Sequence, residues 1–202
     1  MIRIIVVLVA LVAIPRDVAA QEPRAAVGGT INFVTQTHDD DQPGGTTLGW
    51  SALVGVKVAS RVSIEFEPSF GGTYSWEYTY RPSPSLTATV VASRRDTFFP
   101  VQARIKTGIL EPVVGAAIVH GKIGRHATIG TTTYFDDGRS ENTLGLVGGV
   151  DAAVKLASSV SLVPTFRVLI APRDADAPDP LGEQTSTGLI TFRYGVGIRI
   201  GY

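Results

Sequence analysis

Residues 189–202 read LITFRYGVGIRIGY, and this stretch decides the fold. Ile190, Phe192, Tyr194, Val196, Ile198, Ile200 and Tyr202 alternate with Thr191, Arg193, Gly195, Gly197, Arg199 and Gly201. Alternate side chains of a strand point to opposite faces, so one face is apolar and the other is small or charged. The last residue is an aromatic, which suits an anchor at a membrane–water interface.

The other end agrees with an exported protein. Arg3 begins a short basic start, residues 4–14 are apolar, Pro15 breaks the run, and Val18, Ala19 and Ala20 precede Gln21. This is the pattern of a secretory signal peptide cleaved after Ala20. About 11 apolar residues fall well short of the ~20 that a membrane helix needs. The expected organisation is a signal peptide at 1–20 and one domain at 21–202. With no Cys, neither a lipid-anchored form nor a disulfide staple is available.

Net charge is zero, with 18 basic and 18 acidic residues, which excludes the basic footprint of a nucleic-acid binder. Twenty-two Gly, abundant Val, Thr and Ser, and one Met describe sheet and turns. Past residue 20 no apolar run is long enough for a membrane helix, so any bilayer crossing must be made by a closed barrel.

Period-two reading outward from the last strand gives seven more. Residues 25–35 carry Val27, Ile31 and Phe33 on one face, and residues 47–58 set Leu48, Trp50, Val54, Val56 and Val58 against Gly49, Ser51, Gly55 and Lys57. From residue 62, Val62, Ile64, Phe66, Pro68 and Phe70 alternate with Ser63, Glu65, Glu67 and Ser69. The fourth strand places Phe99, Val101, Ala103 and Ile105 opposite Gln102, Arg104 and Lys106. The fifth, at 112–123, is apolar or Gly on both faces and leaves its facing open. In the sixth, Leu144, Leu146, Val150, Val154 and Leu156 oppose Gly145, Gly149, Asp151 and Lys155; in the seventh, Val160, Leu162, Phe166 and Val168 oppose Ser161, Thr165 and Arg167. Connections at 59–61, 107–110 and 157–159 are tight, whereas 38–45, 81–85, 134–142 and 171–187 read as longer loops. Outer-membrane barrels show this alternation of short and long connections.

Alternation does not say which face points inward. A soluble lipocalin-like barrel would bury the apolar face and could hold a ligand. Two features besides the terminal aromatic favour the inverse. The polar face is mostly Gly, Ser, Thr and Ala with one or two charges per strand, as a crowded interior requires. The apolar face of the third strand also reads upward through Tyr74, Trp76, Tyr78 and Tyr80, which with Trp50 form an expected aromatic interface. The fold class is therefore all-β, an eight-stranded antiparallel up-and-down transmembrane β-barrel.

The chain also resembles the small bacterial outer-membrane β-barrel proteins, of the OmpA transmembrane-domain and OmpX type. Phe98-Phe-Pro-Val-Gln-Ala-Arg-Ile-Lys followed by Glu111-Pro-Val-Val-Gly-Ala-Ala resembles a hairpin common in the "outer membrane protein beta-barrel" domain families. The resemblance implies a Gram-negative outer membrane, with membrane lipid and lipopolysaccharide as surroundings. It also implies that Tyr194, Val196, Ile198, Ile200 and Tyr202 serve as the signal to the barrel-assembly machinery.

With the polar face inside, Lys57, Glu65, Glu67, Arg104, Lys106, Asp151, Lys155, Arg167, Arg193 and Arg199 point into a narrow lumen. Buried charges must be paired, so a neutralising plug is expected in preference to a charged conduit or narrow channel. Catalysis is not expected. Barrel lipid A deacylases carry a His two residues before the nucleophilic Ser, which none of His38, His120 and His126 does. Asp39, Asp40 and Asp41, and Asp174, Asp176 and Asp179, match no calcium loop and read as solvated carboxylates. The expectation is a monomer without cofactor or resident metal, in a structural or surface-interaction role. Residues 62–80 exceed the ~9–11 that a membrane strand needs, so a projecting hairpin offers an edge to a protein partner.

Overall fold

The computed structural model describes residues 24–38, 45–83, 86–172 and 188–201. The signal segment, both aspartate clusters and Tyr202 lie outside the described residues. The strands are β1 (Ala25–His38), β2 (Gly45–Ala59), β3 (Val62–Phe66), β4 (Ser69–Phe70), β5 (Tyr74–Ser83), β6 (Leu86–Ile105), β7 (Leu110–Ile129), β8 (Thr132–Ala152), β9 (Val154–Lys155), β10 (Val160–Pro172) and β11 (Gly188–Gly201).

These make eight walls, because β3, β4 and β5 are one interrupted wall and β8 with β9 another. Each wall pairs antiparallel with the next. The last returns to the first through thirteen opposed pairs, from Ala26 opposite Gly201 to His38 opposite Leu189. Closure removes the free sheet edge within the ring, which a membrane demands.

The apolar face points out. Ile31 is 63% exposed and Leu146 70%, and Phe33, Trp50, Val101, Val114, Ile118, Tyr194, Val196 and Ile198 are also exposed. A soluble surface rarely carries so continuous an apolar belt, whereas lipid needs one. The fifth strand is settled as well: Val114 and Ile118 face out, while Val113, Ala117 and Val119 are buried inside.

The structure corrects two sequence readings. Residues 134–142 are not a loop, because β8 passes through them after the two-residue connection at Gly130 and Thr131. Asp136, Asp137 and Gly138 resemble turn chemistry but form a β-bulge against Ile123 and Arg125. Gly138 has φ +79, and a Cβ there would meet the Ile123 carbonyl at 2.4 Å, so only Gly fits.

The second correction concerns the aromatic ladder. Phe70 opposes Thr97 and Tyr74 opposes Arg94, so one wall spends an extra residue at 71–73. A one-residue slip exchanges the faces. Tyr74 is therefore only 8% exposed and stacks on Trp76 with ring centroids 5.5 Å apart. It is an interior residue and does not extend the lipid-facing ladder. Ser75 and Glu77 are exposed instead. The Tyr78 and Tyr80 side chains lie outside the described residues. Trp50 faces out and stacks on Phe70 at 4.4 Å.

Candidate functional site

Two places merit a functional reading: the filled interior, and the strands that project beyond the ring. Inward residues of β6 order the interior vertically, because Arg104, Gln102, Pro100, Phe98, Asp96 and Arg94 follow one another at every second position.

Nearest the short turns is a network of charged and polar side chains to which every wall contributes, β1 and β2 through the neutral Asn32 and Ser51. Arg104 donates Nε to Glu65 at 2.7 Å and Nη1 to Glu111 at 3.1 Å, and it also pairs with Asp151. Asp151 takes Arg167 at 2.5 Å and Arg199 at 2.9 Å. Arg199 reaches Glu111 at 2.8 Å. Glu67, just past β3, pairs with Arg193 and Arg167 at 3.3 Å. It also accepts from Gln102 at 2.8 Å and Ser51 at 3.1 Å. Asn32 in turn donates to Ser51 at 3.4 Å.

Four arginines thus meet four carboxylates, and Asp151 bonds three of the arginines. Isolated charges in a narrow, low-dielectric lumen would be prohibitively costly, and mutual pairing with bidentate geometry offsets that cost. Alternation delivers these residues: each lies on the face opposite the lipid belt, and Gly beside them makes room. At Gly149 an added Cβ would stand 2.9 Å from the Arg167 Cδ.

Above the network Val34, Phe98, Ala117, Val119, Leu169, Ala171 and Leu189 form a buried apolar cluster. Above that sits a second ionic group. Arg94 donates to Asp96 at 2.9 Å and to Glu141 at 2.7 Å, and Gln36 donates to Asp96 at 2.6 Å. Arg94, Asp96, Glu111 and Glu141 do not appear among the residues expected inside. Arg94 and Asp96 were hidden because the stretch 87–97 reads as part of a solvated hairpin. Their spacing of two, in phase with Gln102 and Arg104, is the signal that could have exposed them.

The three lysines expected inside stand at the short-turn end of the barrel. Lys106 and Lys155 are exposed and Lys57 is half-buried. All three line a cavity of about 410 Å³ that opens among the short turns. Among the described residues, no group of three or more His, Cys, Asp or Glu is placed to hold a metal ion. His120 points outward and pairs through Nδ1 with the Asn142 amide oxygen at 2.8 Å, not with a carboxylate.

The projecting part comes from β6 and β7, 20 residues each, and β8, 21 residues. A tilted membrane strand needs only ~9–11 residues. Register is continuous from Arg104 opposite Val113 up to Thr89 opposite Thr128, and β5 extends the sheet on the far side of β6. The pairing of β8 with β10 stops at Leu146 opposite Ile170. The upper half of β8 and the outer side of β5 are therefore edges with no strand partner among the described residues.

No family model and no curated protein matches the sequence. Among solved structures, Ail, the attachment invasion locus protein of Yersinia pestis, in complex with the heparin analogue sucrose octasulfate, is 8% identical. That match covers 89% of this chain and 100% of the other, with a TM-score of 0.53. A second Ail structure, at the same identity and coverages, has a TM-score of 0.50. Neisserial surface protein A is 10% identical over 91% of this chain and 100% of its own, with a TM-score of 0.47. At 8% identity the likeness to Ail is one of fold: this chain has the eight-stranded barrel of small outer-membrane proteins.

Proposed function

We propose that this chain is a non-enzymatic protein of the Gram-negative outer membrane, closed to solute flow, that acts at the cell surface through its projecting sheet. The observation that carries the reading is the length of β6, β7 and β8, about twice what a crossing needs. Evolution of a mere membrane plug requires no such extension. A sheet edge with no strand partner among the described residues can take an extended partner segment by strand addition.

Closure of the lumen rests on the stacked layers. The neutral ionic network and the apolar cluster above it occupy the same narrow bore, and eight strands enclose little beyond their own side chains. Outer-leaflet lipopolysaccharide is the surrounding partner on this reading. Arg95 and Lys122 stand directly opposite each other, outward and exposed, two outward pairs above Phe99 and Ile118 of the lipid belt, with Thr97 and His120 between. Like charges so placed repel, and a bridging lipid phosphate relieves the repulsion.

The test compares cells displaying the whole chain with cells displaying a form whose β5–β6 and β7–β8 tips are replaced by two-residue turns. Adhesion to immobilised extracellular-matrix proteins and to sister cells is scored. The whole chain is expected to raise adhesion and the trimmed barrel, equally abundant in the outer membrane, to lose it. Equal adhesion by both forms overturns the role of the sheet.

A further inference from the structure

The cavity among the short turns is walled by more positive charge than the network beneath it uses. Seven cationic side chains line it against two carboxylates, Glu65 and Glu111; Arg104 and Arg199 belong to the network and are also held by Asp151 just beneath, which leaves five cations beyond it. Both carboxylates are already bonded by Arg104, and Glu111 by Arg199 as well. Arg24, Lys57 and Lys106 each have interactions of their own, and cationic side chains still outnumber carboxylates in the lining. Arg61 and Lys155 stand exposed at its rim.

Five serines, among them Ser63, Ser159 and Ser161, add hydroxyl donors to the same walls. Guanidinium, ammonium and hydroxyl donors converging on one space are the recognition chemistry of phosphate. The low-dielectric lipid around the barrel focuses the field of these charges into the cavity. At about 410 Å³ it has the size of a small-molecule site.

We infer that this vestibule is a binding site for a phosphate-bearing anion presented from the short-turn side, the periplasmic side on the reading above. A soluble phosphate ester and the headgroup of an anionic phospholipid share that chemistry. The site is independent of the projecting sheet, so the loss of either reading leaves the other standing.

The full mature chain, refolded in a neutral glucoside detergent, is titrated with inorganic pyrophosphate while backbone amides are followed by NMR. Saturable shifts are expected at Gly108, Ser159 and Gly201, with Gly130 at the opposite end unmoved. The triple variant Arg61→Gln, Lys106→Gln, Lys155→Gln should bind at least tenfold more weakly, and Lys122→Gln should bind as the parent does. Heat-shifted gel migration checks that the triple variant is folded. If it is not, Lys155→Gln alone is used, with an expected loss of about threefold.

In nanodiscs, phosphatidylglycerol added to phosphatidylcholine distinguishes the sources. Shifts at the same amides, competed by pyrophosphate, make the headgroup the ligand. Silence there, with pyrophosphate still binding, makes it a soluble phosphate. Non-saturating shifts, shifts equal at both ends, or shifts indifferent to the substitutions overturn the inference.

Discussion

Arg193 on β11 and Glu67 beyond β3, 126 residues apart in the chain, form a buried ion pair across the barrel interior. Glu67 also holds Arg167, Gln102 and Ser51. Removing this one carboxylate takes the ion-pair partner from Arg193, while Arg167 keeps Asp151, in a site that water cannot easily enter. Glu67→Ala is expected to cost about 3–5 kcal/mol of stability. Urea unfolding of the refolded barrel in lipid vesicles measures it. Glu67→Met combined with Arg193→Met should recover part of the loss, because both members of one pair then leave together.

Gly121 touches the upper ionic group. A Cβ there would lie 2.8 Å from both the Arg94 Nη2 and the Asp96 Oδ1. Gly121→Ala must push that pair apart, at a cost of about 1–3 kcal/mol. Gly124→Ala, whose Cβ would meet only the Ser93 hydroxyl at 3.1 Å, is expected to cost less. Equal midpoints for the two variants in urea would contradict the packing described.

The reversal of facing at residues 71–73 has a direct chemical readout. The chain contains no Cys, so single cysteines report cleanly. Ser75→Cys and Glu77→Cys should react quickly with a bulky hydrophilic maleimide, and Tyr74→Cys at least tenfold more slowly. If the cysteine at 74 labels and the one at 75 does not, the extra residue is misplaced.

Arg95 and Lys122 give effects of opposite sign. In neutral detergent Lys122→Gln should stabilise the barrel slightly, by about 0.2–1 kcal/mol, because a directly opposed like charge is removed. The same change should reduce the lipopolysaccharide that co-purifies with the protein. A variant destabilised in neutral detergent and unchanged in bound lipopolysaccharide argues against a lipid phosphate between the two cations.

Much of this was legible from period-two alternation. Ile198 and Ile200 alternate with Arg199, Phe166 with Arg167, and Ile105 with Arg104, so each pair fixes its strand's facing locally. Asp151, Glu65, Glu67 and Arg193 were accordingly readable as inward. Arg94, Asp96 and Glu141 were not, because their stretches carry polar residues on both faces and lie next to turn-like sequence. Lys57, Lys106 and Lys155 have the right parity but sit at the ends of their strands. Parity names a face; it does not say how far along the axis the packed interior extends.

The sequence by itself determined the strand count, the direction of most faces and the reversal of polarity that puts lipid outside. All of these follow from the two-residue repeat of a strand, which is a local property. Only the tertiary structure decided that Tyr74 turns inward, that residues 134–142 are strand, and that Asp151 bonds three arginines from three walls. Those outcomes depend on the register between walls. Register is set by pairing over long sequence separations, where a single extra residue at 71–73 or at Gly138 changes what each side chain meets.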